Sequence, residues 1–210
     1  LEGVEGLETV AYASLITAGI LMASREERLL PSSAWFSLAA LTRPEAPLIW
    51  GATHLGIWQR EHWAGSAVRR SIGSAWPMLL TIVAVTVWRL QYYGEWLPNT
   101  FYAKSGGFPL ERGLAYLGDH MVNRPVLWLA AVGAIMITKM RPLVIVVAVV
   151  LVYVVAVGGD FKPTGRFLIP VLPVLSVMAA ASLCALWSRV RRFRGAWVLV
   201  AILCFAWARW

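Results

Sequence analysis

The chain has 210 residues, 59% of them hydrophobic and only 14% charged, with a mean hydropathy of +0.66. A soluble fold of this size cannot hide that much apolar surface, whereas a bilayer solvates it, and long non-alternating apolar runs exclude a transmembrane barrel and leave helices. The net charge of +8 falls in short basic clusters between apolar runs, the pattern of loops at a membrane face rather than of a nucleic-acid surface.

In chain order the apolar runs are 6–23, 32–41, 46–58, 73–88, 126–138, 143–158, 167–187 and 196–210. The expected fold is all-α, a polytopic transmembrane helix bundle forming one domain over 1–210. The start at Leu1-Glu2-Gly3, without Met, and the end at Trp210 inside an apolar run give the expectation of a partial domain, lacking N-terminal spans and its C-terminal end. Cys184 and Cys204 lie in apolar runs without metal-like spacing and read as small packed residues.

The first decision falls at 32–58, one span or a hairpin of two short helices. Pro44 disfavours helical geometry at Arg43 and breaks the run there. A hairpin tipped by Arg43-Pro44-Glu45 also gathers 11 of the 19 Lys and Arg on one side, while a single span splits them almost evenly. Each arm is shorter than a full span, so the hairpin is re-entrant or leans on neighbouring helices.

With the hairpin, residues 1–9, the 43–45 tip, 89–124 and 158–166 share the outer side. Eight of the eleven acidic residues fall there. Within 89–124, Leu110, Leu114, Leu117 and Met121 recur at helical spacing, with Glu111, Arg112, Asp119 and His120 off that stripe. This predicts an outer interfacial helix, with Gly113 and Gly118 as weak points.

Four places on that side have residues able to do chemistry. The segment 92–104 interleaves Tyr92, Tyr93, Trp96, Phe101 and Tyr102 with Gly94, Glu95, Pro98 and Asn99, and ends at Lys104. It suits stacking on sugar rings with a cation for a phosphate, and equally an aromatic belt with a snorkelling Lys. In Gly158-Gly159-Asp160, two glycines permit close approach of a ligand. Arg166 further on forks onto a phosphate or forms an ordinary interfacial pair with Asp160. Arg43 and Glu45 between apolar arms must face a cavity or neutralise each other. Glu8 opens the first span as a catalytic carboxylate or as a helix-terminal acid that the dipole favours anyway. His54, His62 and His120 lack partners at ligand spacing, and no spacing argues for a metal, although Asp160 and Glu8 could contribute to a divalent site.

Gly6-Leu7-Glu8-Thr9, Leu41-Thr42-Arg43-Pro44-Glu45, the run Tyr93 to Lys104, and Gly159-Asp160 ahead of Arg166-Phe167-Leu168-Ile169-Pro170 occur in that order. In this order they resemble the GT-C superfamily of polytopic membrane glycosyltransferases, similar to the mycobacterial arabinofuranosyltransferases and the protein mannosyltransferase-like enzymes. The resemblance implies a protein of the bacterial cytoplasmic membrane with its site facing outward. It implies sugar transfer from a polyprenyl-phosphate donor to a cell-envelope glycan or other acceptor. Glu8 and Asp160 would be the catalytic candidates, and Arg43, Glu45, Tyr93, Glu95, Asn99, Tyr102, Lys104 and Arg166 would bind donor and acceptor, with Arg43, Lys104 and Arg166 on the lipid phosphate. In that superfamily the principal catalytic acid follows the first span, so here it is expected upstream of Leu1, leaving this piece inactive alone. A carrier of lipid-linked sugars would use the same basic residues without chemistry, and a structural membrane protein would leave no cavity among them.

Overall fold

A computed structural model describes residues 7–25, 28–96, 110–159 and 166–190. Among the described residues there is no strand, and the chain runs through nine α-helices: α1 Leu7–Ala23, α2 Leu29–Thr42, α3 Ala46–Arg60, α4 Gly65–Gly73, α5 Trp76–Tyr93, α6 Leu110–Asn123, α7 Pro125–Gly133, α8 Arg141–Val157 and α9 Leu172–Val190. Short 3-10 turns join α7 to α8 and precede α9. Two helical stretches, Thr138–Val157 and Ile169–Arg189, are long and apolar enough to cross a bilayer. The pair α4 and α5, bent by 47°, is a third stretch if taken together.

The chain breaks at Arg43 as expected. Arg43 is extended (φ −145°, ψ 137°), the conformation a following proline imposes, and α2 and α3 fold back on each other as a hairpin. The arms have 14 and 15 residues, so each is roughly 21–23 Å long, short of a hydrocarbon core of about 30 Å. They lean on neighbours: α2 packs on α1 and α5, and α3 packs on α8. Close approach is bought with small residues. Gly19 of α1 lies against the Phe36 ring and accepts a hydrogen bond from Ser32 Oγ at 2.8 Å, and Gly56 of α3 lies against Pro142.

The core joins Tyr12 and Ile16 of α1, Phe36 of α2, Ile49 of α3, Met78 of α5, Val146, Val150 and Val154 of α8, and Leu168 and Leu175. Elsewhere the helices turn large apolar side chains outward. On α5 Met78 is the buried residue, while Leu79, Leu80, Val83 and Val87 are exposed. Apolar faces of that extent suit a lipid environment.

Two expectations change. Residues 60–70, expected as a basic loop, contain the start of α4, and Arg70 there forks onto Glu61 at 2.6 and 2.7 Å. The turn before α4 places His62 and Trp63 at positive φ. Cys184, expected to be packed, is exposed on α9. Residues 196–210 lie outside the described residues.

Candidate functional site

The hairpin tip is built from backbone first. Arg43 N–H still donates to the carbonyl of Ala39, so its side chain leaves the end of α2 while its backbone turns away. Glu45 is the N-cap of α3, and its side chain makes no capping bond. It turns back to Arg43 instead, with Oε1 2.6 Å from Nε, and both side chains are about nine-tenths buried. Two charges this far from water persist when each satisfies the other.

Aromatic rings hold the guanidinium from neighbouring elements. Its Cζ lies 5.4 Å from the ring centroid of Tyr12 on α1 and 5.1 Å from that of Phe167, a favourable placement for a cation. Phe167 is set edge-on against Tyr153 of α8. Tyr12 is fully buried, and its hydroxyl has no hydrogen-bond partner. Burial raises the Glu45 carboxyl above the ordinary carboxylate range against the pull of Arg43, and the charge of Glu8, one turn from Tyr12 on α1, adds to the rise.

A second layer braces Phe167. Its backbone N–H donates to the Tyr116 hydroxyl on α6 at 3.1 Å. Helix α8 closes on Gly158 and Gly159, both at positive φ, where glycine has no Cβ to obstruct. Gly159 lies close against protein, since a Cβ on it would sit 2.7 Å from Tyr116 Cβ. Gly113, expected as a weak point of α6, is where the helix rests on the Val155 backbone. The buried face of α6 carries Gly113 and His120, with Tyr116 and Leu117 half-buried, while Leu110 and Leu114 of the expected stripe are exposed. His120 Nδ1 accepts from Trp128 Nε1 at 3.1 Å, and burial together with Arg124 lowers its pKa to about 4.

Of the ten residues expected at a site, Arg43 and Glu45 are in contact, Glu8 is within electrostatic reach of them, and Arg166 adjoins the stacked Phe167. Tyr93 and Glu95 are exposed at the end of α5. Tyr93 packs edge-on against Trp88. Asn99, Tyr102, Lys104 and Asp160 lie outside the described residues. Sequence reasoning missed Tyr12, Tyr153 and Tyr116. For the first two the available signal was a lone tyrosine in an otherwise aliphatic or small-residue run.

Two open spaces flank the tip. A cleft of about 380 Å³ between α2 and α5 is lined by Leu41, Arg43, Pro44, Val85, Trp88 and Arg89. A groove of about 720 Å³ between α1 and α9 is lined by Val10, Ala13, Thr17, Ile169 and Leu172 among others, with no charged residue. Among the described residues no three His, Cys, Asp or Glu side chains converge to hold a metal. His54 is a packed histidine midway along α3. Ser71 Oγ lies 2.9 Å from its Nδ1 and accepts from Trp58 Nε1, and the Trp50 ring lies against it.

Comparison with protein-family models, with characterised proteins and with solved structures gives no match, so the geometry of the site is the ground for a functional reading.

Proposed function

We propose that this protein is a polytopic membrane glycosyltransferase that moves a sugar from a polyprenyl-phosphate donor to a cell-envelope acceptor on the outer face of a bacterial cytoplasmic membrane. One observation supports the reading above others. A buried, aromatic-stacked Arg43–Glu45 pair stands at the tip of a helical hairpin, at the same end as Glu8 and Arg166. In this reading the tip lies at headgroup depth, where a lipid-linked phosphate and its sugar would sit. A fixed guanidinium balances the charge that develops as the sugar leaves the phosphate, and a carboxylate, Glu8 or Asp160 in this reading, takes a proton from the attacking hydroxyl. In this reading Arg43 and Arg166 hold the phosphate, with Lys104, and Glu8 and Asp160 are the carboxylates nearest the acceptor.

One observation favours a carrier of lipid-linked sugars instead. Glu45 is engaged by Arg43, which leaves Glu8 as the unpaired acid of the described cluster. The two readings separate in one experiment on the full-length protein in proteoliposomes, with a radiolabelled polyprenyl-phosphate sugar. The enzyme reading expects labelled acceptor, lost in Glu8→Gln and Arg43→Gln variants that still insert. Label that crosses the bilayer with no labelled acceptor would establish the carrier.

A further inference from the structure

The cleft between α2 and α5 has a second cation that the sequence motifs do not contain. Arg89 lies one turn before the end of α5, half-buried, and lines the cleft together with Arg43. The two residues line it from different segments, Arg43 from the end of α2 and Arg89 from α5. Arg43 is 8% exposed and held rigidly, with Glu45 on its Nε and rings at 5.1 and 5.4 Å. No carboxylate pairs with Arg89 among the described residues. Among the described residues that line the cleft there are two arginines and no carboxylate, an excess of positive charge.

The remaining walls are apolar. Ala40, Leu41, Ala84 and Val85 continue the surfaces of α2 and α5, where Leu38, Leu80 and Val83 are exposed. Trp88 stands at the rim beside Arg89, where an indole suits headgroup depth. An apolar slot that ends in two arginines matches a molecule with an anionic head on an apolar tail.

We propose that the α2–α5 cleft binds the phosphate ester of a lipid that enters sideways from the bilayer, with Arg89 joining Arg43 as a guanidinium ligand. Arginine suits the task because its planar fork meets phosphate oxygens in pairs and keeps its charge when desolvated. The pairing of Arg43 with Glu45 prepares the site: it holds the guanidinium against the rings before the phosphate arrives, so little ordering is left to pay for on binding. Naming that lipid as a polyprenyl phosphate rests on the proposed function, whereas the phosphate assignment rests on the cleft alone.

The test is calorimetric titration of the full-length protein in neutral detergent with farnesyl phosphate, farnesol, inorganic phosphate and phosphatidylglycerol. Farnesyl phosphate is expected to bind, and Arg89→Gln to weaken it about tenfold or more, the scale of one lost charge-assisted contact. Arg89→Lys is expected to recover part of that loss, and Arg69→Gln at the far end to leave binding unchanged. Farnesol and inorganic phosphate are each expected to bind far more weakly, because each lacks one half of the ligand. Phosphatidylglycerol binding equal to farnesyl phosphate would make the site one for bulk lipid headgroups and overturn the polyprenyl assignment. Unchanged farnesyl phosphate affinity in Arg89→Gln would overturn the cleft itself, whatever the transfer assay shows. An Arg89-dependent affinity in a protein that neither transfers nor translocates sugar would leave the cleft standing and remove the proposed function.

Discussion

The Nε of Arg43 sits 2.6 Å from Oε1 of Glu45, two residues apart in sequence and joined through a proline. The contact crosses the break between α2 and α3, so it closes the hairpin and builds the candidate site in one step. Removing one partner strands the other charge out of water, a loss of about 3–5 kcal/mol for a buried pair. Arg43→Gln should therefore lower thermal stability in detergent at pH 8. It should regain part of the loss as pH falls, when the stranded Glu45, which burial already holds above the ordinary carboxylate range, takes up a proton. The double variant Arg43→Met, Glu45→Leu is expected to melt within about 1 kcal/mol of the parent, since well-packed apolar pairs replace buried ion pairs at little cost. It should still be inactive in the transfer assay. A double variant that retained transfer would remove the pair from the mechanism.

Helix α6 carries two glycines with opposite surroundings, and they give opposite predictions. At Gly113 an added Cβ would lie 2.5 Å from the Val155 carbonyl oxygen, whereas at Gly118 it meets nothing within 4 Å. Gly113→Ala must push α6 off α8 and should cost about 1–3 kcal/mol. Gly118→Ala gains helix propensity and should stabilise by about 0.5–1 kcal/mol. Melting temperatures of the two variants are expected to move in opposite directions. Equal shifts would mean that α6 does not rest on α8 as described.

His120 makes stability depend on acid. Its pKa falls from 6.5 to about 4 on folding, so the unfolded chain binds a proton between those values and the folded chain does not. The contribution is full above pH 6.5 and is lost as pH falls toward 4, with about 2 kcal/mol gone by pH 5. The geometry supplies the reason. Trp128 donates to Nδ1, and protonating that nitrogen sets two N–H groups against each other. His120→Asn offers an amide oxygen in place of Nδ1 and does not titrate. The melting temperature of the parent should drop more steeply than that of the variant between pH 7 and pH 5. Parallel curves would assign the acid limb to other groups.

The hairpin was legible because one local rule and one global rule agreed. Pro44 restricts Arg43, and the distribution of basic residues selects the topology that this break allows. Helix α4 was hidden because Gly65-Ser66-Ala67-Val68-Arg69-Arg70 is polar on most of its surface and reads as loop. The face of α6 was misjudged for a physical reason. The leucine stripe marks the buried side in water, but lipid solvates Leu110 and Leu114 as well as protein does, and close packing then falls to the small residues such as Gly113. At the site, Arg43 and Glu45 could be singled out because charge between apolar arms is costly. Tyr12 and Phe167 reach Arg43 from distant segments and Arg89 borders the same cleft, and no local spacing encodes that meeting.

Sidedness is the prediction on which the proposed localisation depends. The tip, the start of α1 and the end of α8 share one end of the molecule with α6, while α4 begins beyond the opposite end of α3. The two ends can be tagged at exposed positions, Glu111 on α6 and Arg69 on α4. In a background with Cys184 and Cys204 replaced by serine, Glu111→Cys should react in intact cells with a membrane-impermeant maleimide. Arg69→Cys should react only after permeabilisation. Both changes lie on exposed surface and are expected to shift stability by less than about 0.5 kcal/mol, so loss of labelling cannot be put down to misfolding. The reverse pattern would place the tip in the cytoplasm and exclude an outward-facing transferase, because every basic cluster near α4 would then lie outside, against the charge rule that selected the hairpin. Labelling of both from outside would mean that α3 does not reach across the bilayer. The hairpin would then be re-entrant, with its tip buried below the surface, and the Arg43–Glu45 pair would be a neutralised anchor and not a site.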